Sequence, residues 1–479
     1  MGELPTSPLP EAPLLDAWAR FADAPGSSFT IPGHKHRSGA IWPDLGRVNA
    51  GDVPLFGGLA SVKDAEDVLV DAEARTARDW GADWCRYSTG GSTHANQALA
   101  LAVGAPGDEV LVARNAHRST LLGLILAGLD PVWLTPQVDP ALGLPLGLAV
   151  EDLRAALDAH PDAKALFLVE PSYVGSLSDV AALVSLAHSR GVAVVVDQAW
   201  GAHFGFHPAY PAQALAVGAD ALVFSAHKTL PAYSQGSVVL ARAERLDRDR
   251  LERGYSATNT TSPAGSILAS VDAACALIAS PLGTELLGIL ATSVATARAR
   301  LLDALPGLVL PDCDDPAKLI VLLGGSRYSG LAIERELIAA GFPLEQADEN
   351  ILIPVVTIAD RPSDVAALCD AVIAAAAQAP RTGGGSNPAS FAVPGRPPAP
   401  LTPREAFFAR HETVAVEKAI GRISAELIAP YPPGVPVLVP GETITVETLA
   451  ALHSARTAGV RIAYAADATL ATFQVITRT

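Results

Sequence analysis

Lys228, Asp197, His117 and the run Gly90-Gly91-Ser92-Thr93 are residues whose types and settings could do chemistry. Lys228 lies in Ser225-Ala-His-Lys-Thr-Leu-Pro-Ala232, directly after the apolar, β-prone run Ala221-Leu-Val-Phe224. It is therefore expected just beyond the carboxyl end of a buried strand. Desolvation there disfavours the ammonium, and a lysine that can lose its proton can form a Schiff base with a carbonyl compound. Asp197 ends the run Val192-Ala-Val-Val-Val196 in the same way, and a carboxylate at a buried strand end is costly unless it meets a cation. Gly90 to Thr93 falls where a helix starts, so free backbone N–H groups, two hydroxyls and the helix dipole can hold a phosphate. His117, in Asn115-Ala-His-Arg-Ser119, could lie flat on an aromatic ring. Each group also has a plain structural reading: a loop lysine, a loop-capping aspartate, a capped turn, a satisfied histidine. The glycine run is not a P-loop, because the GxxxxGK[ST] spacing is absent.

These residues can meet only if the chain brings several strand ends to one edge. Val110-Leu-Val-Ala113, Pro131-Val-Trp-Leu134, Ala165-Leu-Phe-Leu-Val169, Val192 to Val196 and Ala221 to Phe224 read as short strands. Helical stretches such as Glu151 to Ala159 and Val180 to Ser189 separate them, and a helix is expected from Ala95 to Val103. Strand, helix, strand at this spacing predicts a mostly parallel sheet covered on both faces, with ligands outside the carboxyl ends of its strands.

Around that sheet the chain divides into an N-terminal arm over 1–60, a large α/β domain over 61–300 and a smaller α/β unit over 301–380. A glycine- and proline-rich linker over 381–403 leads to a C-terminal unit over 404–479. In the large domain a helical pattern runs from Asp64 to Trp80, and helix resumes from Ser262-Pro263 to about Leu305. In the last unit a helix is expected over Thr413 to Ile428, followed by the rigid turn Pro430-Tyr-Pro-Pro-Gly-Val-Pro436.

Composition narrows the function class. A formal charge of -16 argues against a nucleic-acid footprint and against attraction to an anionic membrane. The longest apolar runs, such as Leu121 to Leu129, are too short to span a bilayer. No basic-then-apolar leader opens the chain, so a cytoplasmic protein is expected. Cys85, Cys275, Cys313 and Cys369 form neither a CxxC pair nor a zinc pattern, which points to reduced thiols and no metal site.

Phosphate cradle, strand-end aspartate and strand-end lysine, in that chain order within one parallel sheet, are what pyridoxal phosphate requires: an anion site, a partner for the pyridine nitrogen and an amine. The chain resembles the Orn/Lys/Arg decarboxylase family of fold-type I pyridoxal-phosphate enzymes. The likeness rests on Pro-Gly-His-Lys at 32–35, Gly-Ser-Thr-His-Ala-Asn at 91–96, Arg-Asn-Ala-His-Arg-Ser at 114–119 and Asp-Gln-Ala-Trp-Gly-Ala-His at 197–203. It continues with Ser-Ala-His-Lys-Thr-Leu at 225–230, Thr-Thr-Ser-Pro at 260–263, Pro-Tyr-Pro-Pro-Gly-Val-Pro at 430–436 and Pro-Gly-Glu at 440–442. The Pro-Tyr-Pro-Pro-Gly element is the family-specific part.

The resemblance implies an α/β fold-type I transferase-like large domain with smaller α/β C-terminal domains. It implies that Lys228 carries the cofactor, Asp197 pairs with its ring nitrogen and His117 stacks on the ring. Ser92, Thr93, Ser225 and His227 would bind the phosphate, and Trp200 would pack beside the cofactor. Arg118 and Gln198 depart from what many relatives show, and Gln198 leaves the choice of substrate open. The chain is short for the family, with no room for an N-terminal receiver-like wing. The implied reaction is decarboxylation of arginine, lysine or ornithine to agmatine, cadaverine or putrescine. Transamination or aldol cleavage, and a non-catalytic regulatory role, are the alternatives. A two-fold homodimer is implied, with Thr261 in the 260–263 segment reaching the neighbouring subunit's cofactor. Glu442 is the candidate partner for the substrate's distal cation, its alternative being an exposed turn glutamate.

Overall fold

The computed structural model describes residues 7–22, 43–49, 51–52, 68–139, 142, 144–324, 326–378, 397–431, 436–457 and 460–477. The motif at 32–35, most of the arm and linker, the start of the helix expected from Asp64, and 432–435 of the proline turn lie outside the described residues.

Seven strands build the central sheet: β1 (Trp84–Ser88), β2 (Glu109–Ala113), β3 (Asp130–Leu134), β4 (Ala165–Val169), β5 (Ala193–Asp197), β6 (Ala221–Ser225) and β7 (Ser237–Ala241). Their order is β1-β7-β6-β5-β4-β2-β3. Strands β3, β2, β4, β5 and β6 are parallel, and β7 runs antiparallel between β6 and β1. The five expected strands stand within a residue of their predicted bounds; β1 and β7 are additional. In β1 the apolar signal is interrupted by Arg86, whose guanidinium leaves the strand to meet Glu73 and Glu252.

The strands are apolar along their whole length because both faces are covered. Leu111, Val194, Val196, Leu222 and Phe224 belong to one core cluster, while the alternate residues Val110, Val112, Val195 and Val223 belong to another on the opposite face. Each such side chain removed from water contributes about 1.5–3 kcal/mol, which explains why five-residue strands hold their register. The helices Gly91–Val103, Arg118–Ala127 and Arg248–Thr258 pack together, and the crossover helices Val150–Ala159 and Val180–Ser189 pack on each other.

After the helices Gly265–Ile278 and Pro281–Ala304 comes a small unit. In it β8 (Val321–Leu322), β9 (Gln346–Ala347) and β10 (Ile351–Ile353) pair antiparallel in the order β8-β10-β9. Its helix Pro362–Gln378 lies along Pro281–Ala304.

The C-terminal unit differs from expectation. The stretch predicted as a helix over Thr413 to Ile428 instead forms β11 (His411–Ala415) and a short 3-10 turn, Val416–Lys418. β-Branched Thr413 and Val414 suit a strand, and Gly421, with φ of 75°, is a residue at which a helix cannot continue. Strand β11 pairs with β14 (Thr472–Ile476), and β12 (Ala429–Tyr431) pairs with β13 (Arg461–Ala463) over a core that includes Ile428, Leu438, Leu452 and Phe473. Among the described residues no single helix is long and apolar enough to cross a membrane.

Candidate active site

At the carboxyl ends of β4, β5 and β6 lies a cavity of about 520 Å³. Ser92, Thr93, His117, Asp197, Trp200, Ser225, His227 and Lys228 all line it, although the chain separates them by more than a hundred residues.

The anion cradle is built by the loop before the helix Gly91–Val103. Gly91 has φ of 69° and its N–H donates to the carbonyl of Gln235 at 2.9 Å, a conformation that favours glycine. A Cβ at Gly90 would lie 2.8 Å from the Cβ of His94, so no side chain fits between loop and helix. No side chain caps this helix, which leaves first-turn N–H groups for a ligand. The Ser88 hydroxyl accepts from the N–H of Gly90 at 3.1 Å and lies 2.7 Å from His94 Nδ1. His94 Nε2 is 3.0 Å from the carbonyl of Tyr255, which can only accept. Thus Nε2 carries the proton and Nδ1 accepts from Ser88. Burial lowers the His94 pKa, which keeps this arrangement neutral. Across the sheet, Ser92 Oγ lies 2.7 Å from Ser225 Oγ, and His227 Nδ1 is bound to the carbonyl of Gly236 at 2.9 Å.

Asp197 is buried and its two oxygens are held separately. Oδ2 accepts from Asn96 Nδ2 at 2.7 Å and Oδ1 accepts from the N–H of Ala199 at 3.1 Å. Asn96 also donates to Ser119 Oγ at 2.9 Å, and Ser119 Oγ is 2.8 Å from His117 Nδ1, which accepts from the Ser119 N–H as well. One hydrogen-bonded chain therefore orients both the aspartate and the histidine. His117 opens onto the cavity, yet the surrounding protein still lowers its pKa, chiefly by desolvation.

Lys228 Nζ stands 4.4 Å from the centroid of the Trp200 ring, whose edge meets Tyr173. Burial lowers the Lys228 pKa against the opposing pull of Asp197 and Glu345. A second amine shares the ring: Lys318 Nζ is 4.2 Å from the same centroid, and its pKa is pushed down to about 8, first by burial. Its stem passes over Gly175, where φ is 88° and a Cβ would stand 2.6 Å from Lys318 Cγ. Sequence reasoning missed Lys318, Asn96 and Ser119 as site residues. Asp315-Pro-Ala-Lys318, just before another apolar run, was the available signal for the first. For Asn96 and Ser119 the signal was their place one helical turn or less from Ser92 and His117.

One expectation is corrected. Glu442 does not line the cavity: it is buried and paired with Arg114 through both carboxylate oxygens, while Oε2 also accepts from the N–H of Val439 at 2.9 Å. It is neither an exposed turn residue nor free for a substrate cation, because a buried carboxylate needs its full set of donors. Thr261 is exposed in the loop after the helix Arg248–Thr258 and does not line this chain's cavity. Gln198 is buried, donating to the carbonyl of Gly201 at 2.7 Å and accepting from the N–H of Ala214 at 3.0 Å, so it shapes the loop and does not face the cavity.

Fold and cavity together define an α/β enzyme whose site lies outside the carboxyl ends of parallel strands. A Francisella novicida lysine decarboxylase has the same fold, with a TM-score of 0.79 at 20% identity, covering 97% of this chain and 81% of that one. A serine palmitoyltransferase from S. paucimobilis with bound PLP shares it more distantly, with a TM-score of 0.52 at 18% identity over 64% of this chain and 76% of that one. In sequence, residues 12–307 match the Orn/Lys/Arg decarboxylase major domain and residues 393–458 match the C-terminal domain. The chain belongs to the Orn/Lys/Arg decarboxylase family, and it is a decarboxylase. An arginine decarboxylase of Halalkalibacterium halodurans is 32% identical over 97% of this chain and 98% of its own length.

Proposed function

We propose that this chain decarboxylates a basic amino acid, arginine in the first place, with pyridoxal 5'-phosphate as cofactor, releasing the corresponding amine and carbon dioxide. The observation that carries the reading is the convergence of Lys228, Asp197 and an uncapped, glycine-turned helix start on one cavity. The residues present fit the cofactor by their chemistry. The cradle of Gly90, Gly91, Ser92 and Thr93 with Ser225 and His227 suits a phosphate, Asp197 suits a protonated ring nitrogen and Lys228 suits an aldehyde. When bound, pyridoxal phosphate supplies the electron sink that makes loss of the α-carboxylate possible.

The chain's own residues supply orientation. Lys228, with its ammonium disfavoured by burial, offers the amine for attachment and exchange with the substrate's amino group. Asp197 keeps a fixed carboxylate because Asn96 and the Ala199 amide hold its oxygens. His117, locked through Nδ1, sets a face for the ring, while Trp200 and Tyr173 keep one wall apolar and exclude water. The full-length similarity to an arginine decarboxylase supports arginine over lysine or ornithine.

The working unit in this reading is a cytoplasmic two-fold homodimer; the exposed run Thr260 to Ser262, which leaves Thr261 accessible to a second copy, supports the dimer. The five-part division of the chain belongs to the same reading. The test is a product assay by mass spectrometry on protein supplied with pyridoxal phosphate and each of the three amino acids. Agmatine from arginine is the expected result, and no amine from any of the three would refute the reading.

A further inference from the structure

The distal cation of the substrate is left without the carboxylate that sequence reasoning assigned to it. Among the described residues lining the cavity Asp197 is the only carboxylate, and Asn96 and the Ala199 amide hold its oxygens. What the cavity offers instead is aromatic surface: Tyr173, Trp200 and Tyr464. Trp200 already faces two amines, those of Lys228 and Lys318, which would repel a further cation from that wall. Tyr464 remains.

Tyr464 comes from the C-terminal unit, directly after β13, and is 38% exposed at the cavity. Its φ is 68°, a left-handed conformation that is rare for an aromatic residue and that the surrounding structure has to enforce. Its ring carries the guanidinium of Arg118, whose Cζ is 5.2 Å from the ring centroid. Among the described residues the Arg118 side chain makes no ion pair or hydrogen bond, and its guanidinium rests on this ring alone. The structure thus shows a guanidinium resting on this ring, within the distance at which cation–π attraction operates.

We infer that Tyr464 is the platform that recognises the substrate's distal cation, with Arg118 occupying the ring until a substrate guanidinium replaces it. The inference rests on the decarboxylase reading of the cavity and names the specificity residue of that same site. A planar guanidinium stacks on an aromatic face better than a compact, strongly hydrated ammonium. The platform therefore favours arginine over lysine, and it acts on binding more than on turnover.

The experiment measures kcat and KM for L-arginine and L-lysine, and calorimetric binding of agmatine, in the wild type, Tyr464→Phe, Tyr464→Ala and Arg118→Gln. Tyr464→Ala is expected to raise the KM for arginine and the Kd for agmatine about tenfold, with kcat changed by less than about twofold. The effect on lysine is smaller. Tyr464→Phe keeps the ring and is expected to recover most of the affinity lost in Tyr464→Ala. Arg118→Gln removes the competitor and leaves the KM for arginine unchanged or lower. An unchanged KM and Kd in Tyr464→Ala would overturn the inference. So would Arg118→Gln raising the KM as much as Tyr464→Ala, because the pair would then be a structural clasp. A wild-type protein that releases no amine refutes the decarboxylase reading and this inference with it; an active wild type with an insensitive Tyr464→Ala refutes the inference alone.

Discussion

Asn96→Ala tests whether the chain Asp197–Asn96–Ser119–His117 is the device that orients the site. In the structure Asn96 Nδ2 donates to Asp197 Oδ2 at 2.7 Å and to Ser119 Oγ at 2.9 Å, with all three residues buried. A hydrogen bond to a charged group contributes about 1.5–3 kcal/mol, and a neutral one about 1 kcal/mol. If the carboxylate must hold its orientation during reaction, losing the charged bond lowers kcat/KM about ten- to hundredfold. Ser119→Ala leaves the Asp197 bond intact and leaves His117 Nδ1 the Ser119 amide, so its expected loss is about fivefold. Because both changes break one chain, the double variant falls short of the sum of the two. The assay is carbon dioxide release from arginine, with thermal unfolding as the control for a general loss of structure. Asn96→Ala retaining kcat/KM within about twofold of the wild type would refute the reasoning, since among the described residues Asn96 is the donor that holds Asp197 Oδ2.

Lys228→Ala is expected to abolish turnover and to abolish covalent fixation of pyridoxal phosphate by borohydride, with peptide mapping and far-UV dichroism as the readouts; fixation that persists at another lysine would displace Lys228. Lys318→Met should raise Tm at pH 7. The folded pKa of Lys318, near 8, lies below the ordinary lysine value of 10.5, so the unfolded chain binds more protons between those values. The penalty of burying the ammonium is full below pH 8 and disappears as pH rises toward 10.5, so the gain from methionine should shrink over that window in a pH series of melts. Glu442→Gln should act on stability and not on substrate binding. Breaking the buried pair with Arg114 costs about 3–5 kcal/mol, to be read as a lowered denaturation midpoint with KM for arginine unchanged.

Legibility in the sequence followed how local the signal was. The five parallel strands were readable because each is an unbroken apolar run between turn formers, which placed Asp197 and Lys228 at strand ends; that these strands are neighbours is seen only in the fold. Strand β1 was hidden because Arg86 sits in its middle, satisfied by Glu73 and by Glu252 from a distant helix. The helix predicted over Thr413 to Ile428 failed for a related reason. Pairing with β14, some sixty residues later, decides that stretch, and no window around Thr413 contains it. Among site residues, those at strand ends and at the helix start were found. Lys318 was not, because its meeting with Trp200 depends on how the loop before β8 folds back over Gly175. Glu442 misled because a glutamate after a rigid turn looks free until Arg114, more than three hundred residues earlier, is seen to close on it.

The distribution of charge explains why recognition has to be decided by neighbours of this kind. A net charge of -16 draws a cationic amino acid toward the protein from a distance, but at physiological ionic strength that field is screened within about 8 Å. Inside the cavity the balance is different: Lys228 and Lys318 stand against Trp200, and the single carboxylate among the described lining residues is held by Asn96. A substrate that carries a carboxylate at one end and a cation at the other meets an amine at Lys228 and an aromatic face at Tyr464. Acidic surface residues therefore bear on the rate of encounter and its salt dependence, while discrimination among basic amino acids depends on what the distal group touches at Tyr464. Raising the ionic strength should accordingly lower kcat/KM for arginine and lysine by the same factor and leave their ratio unchanged. A ratio that changes with salt would place recognition in the long-range field instead of at the ring.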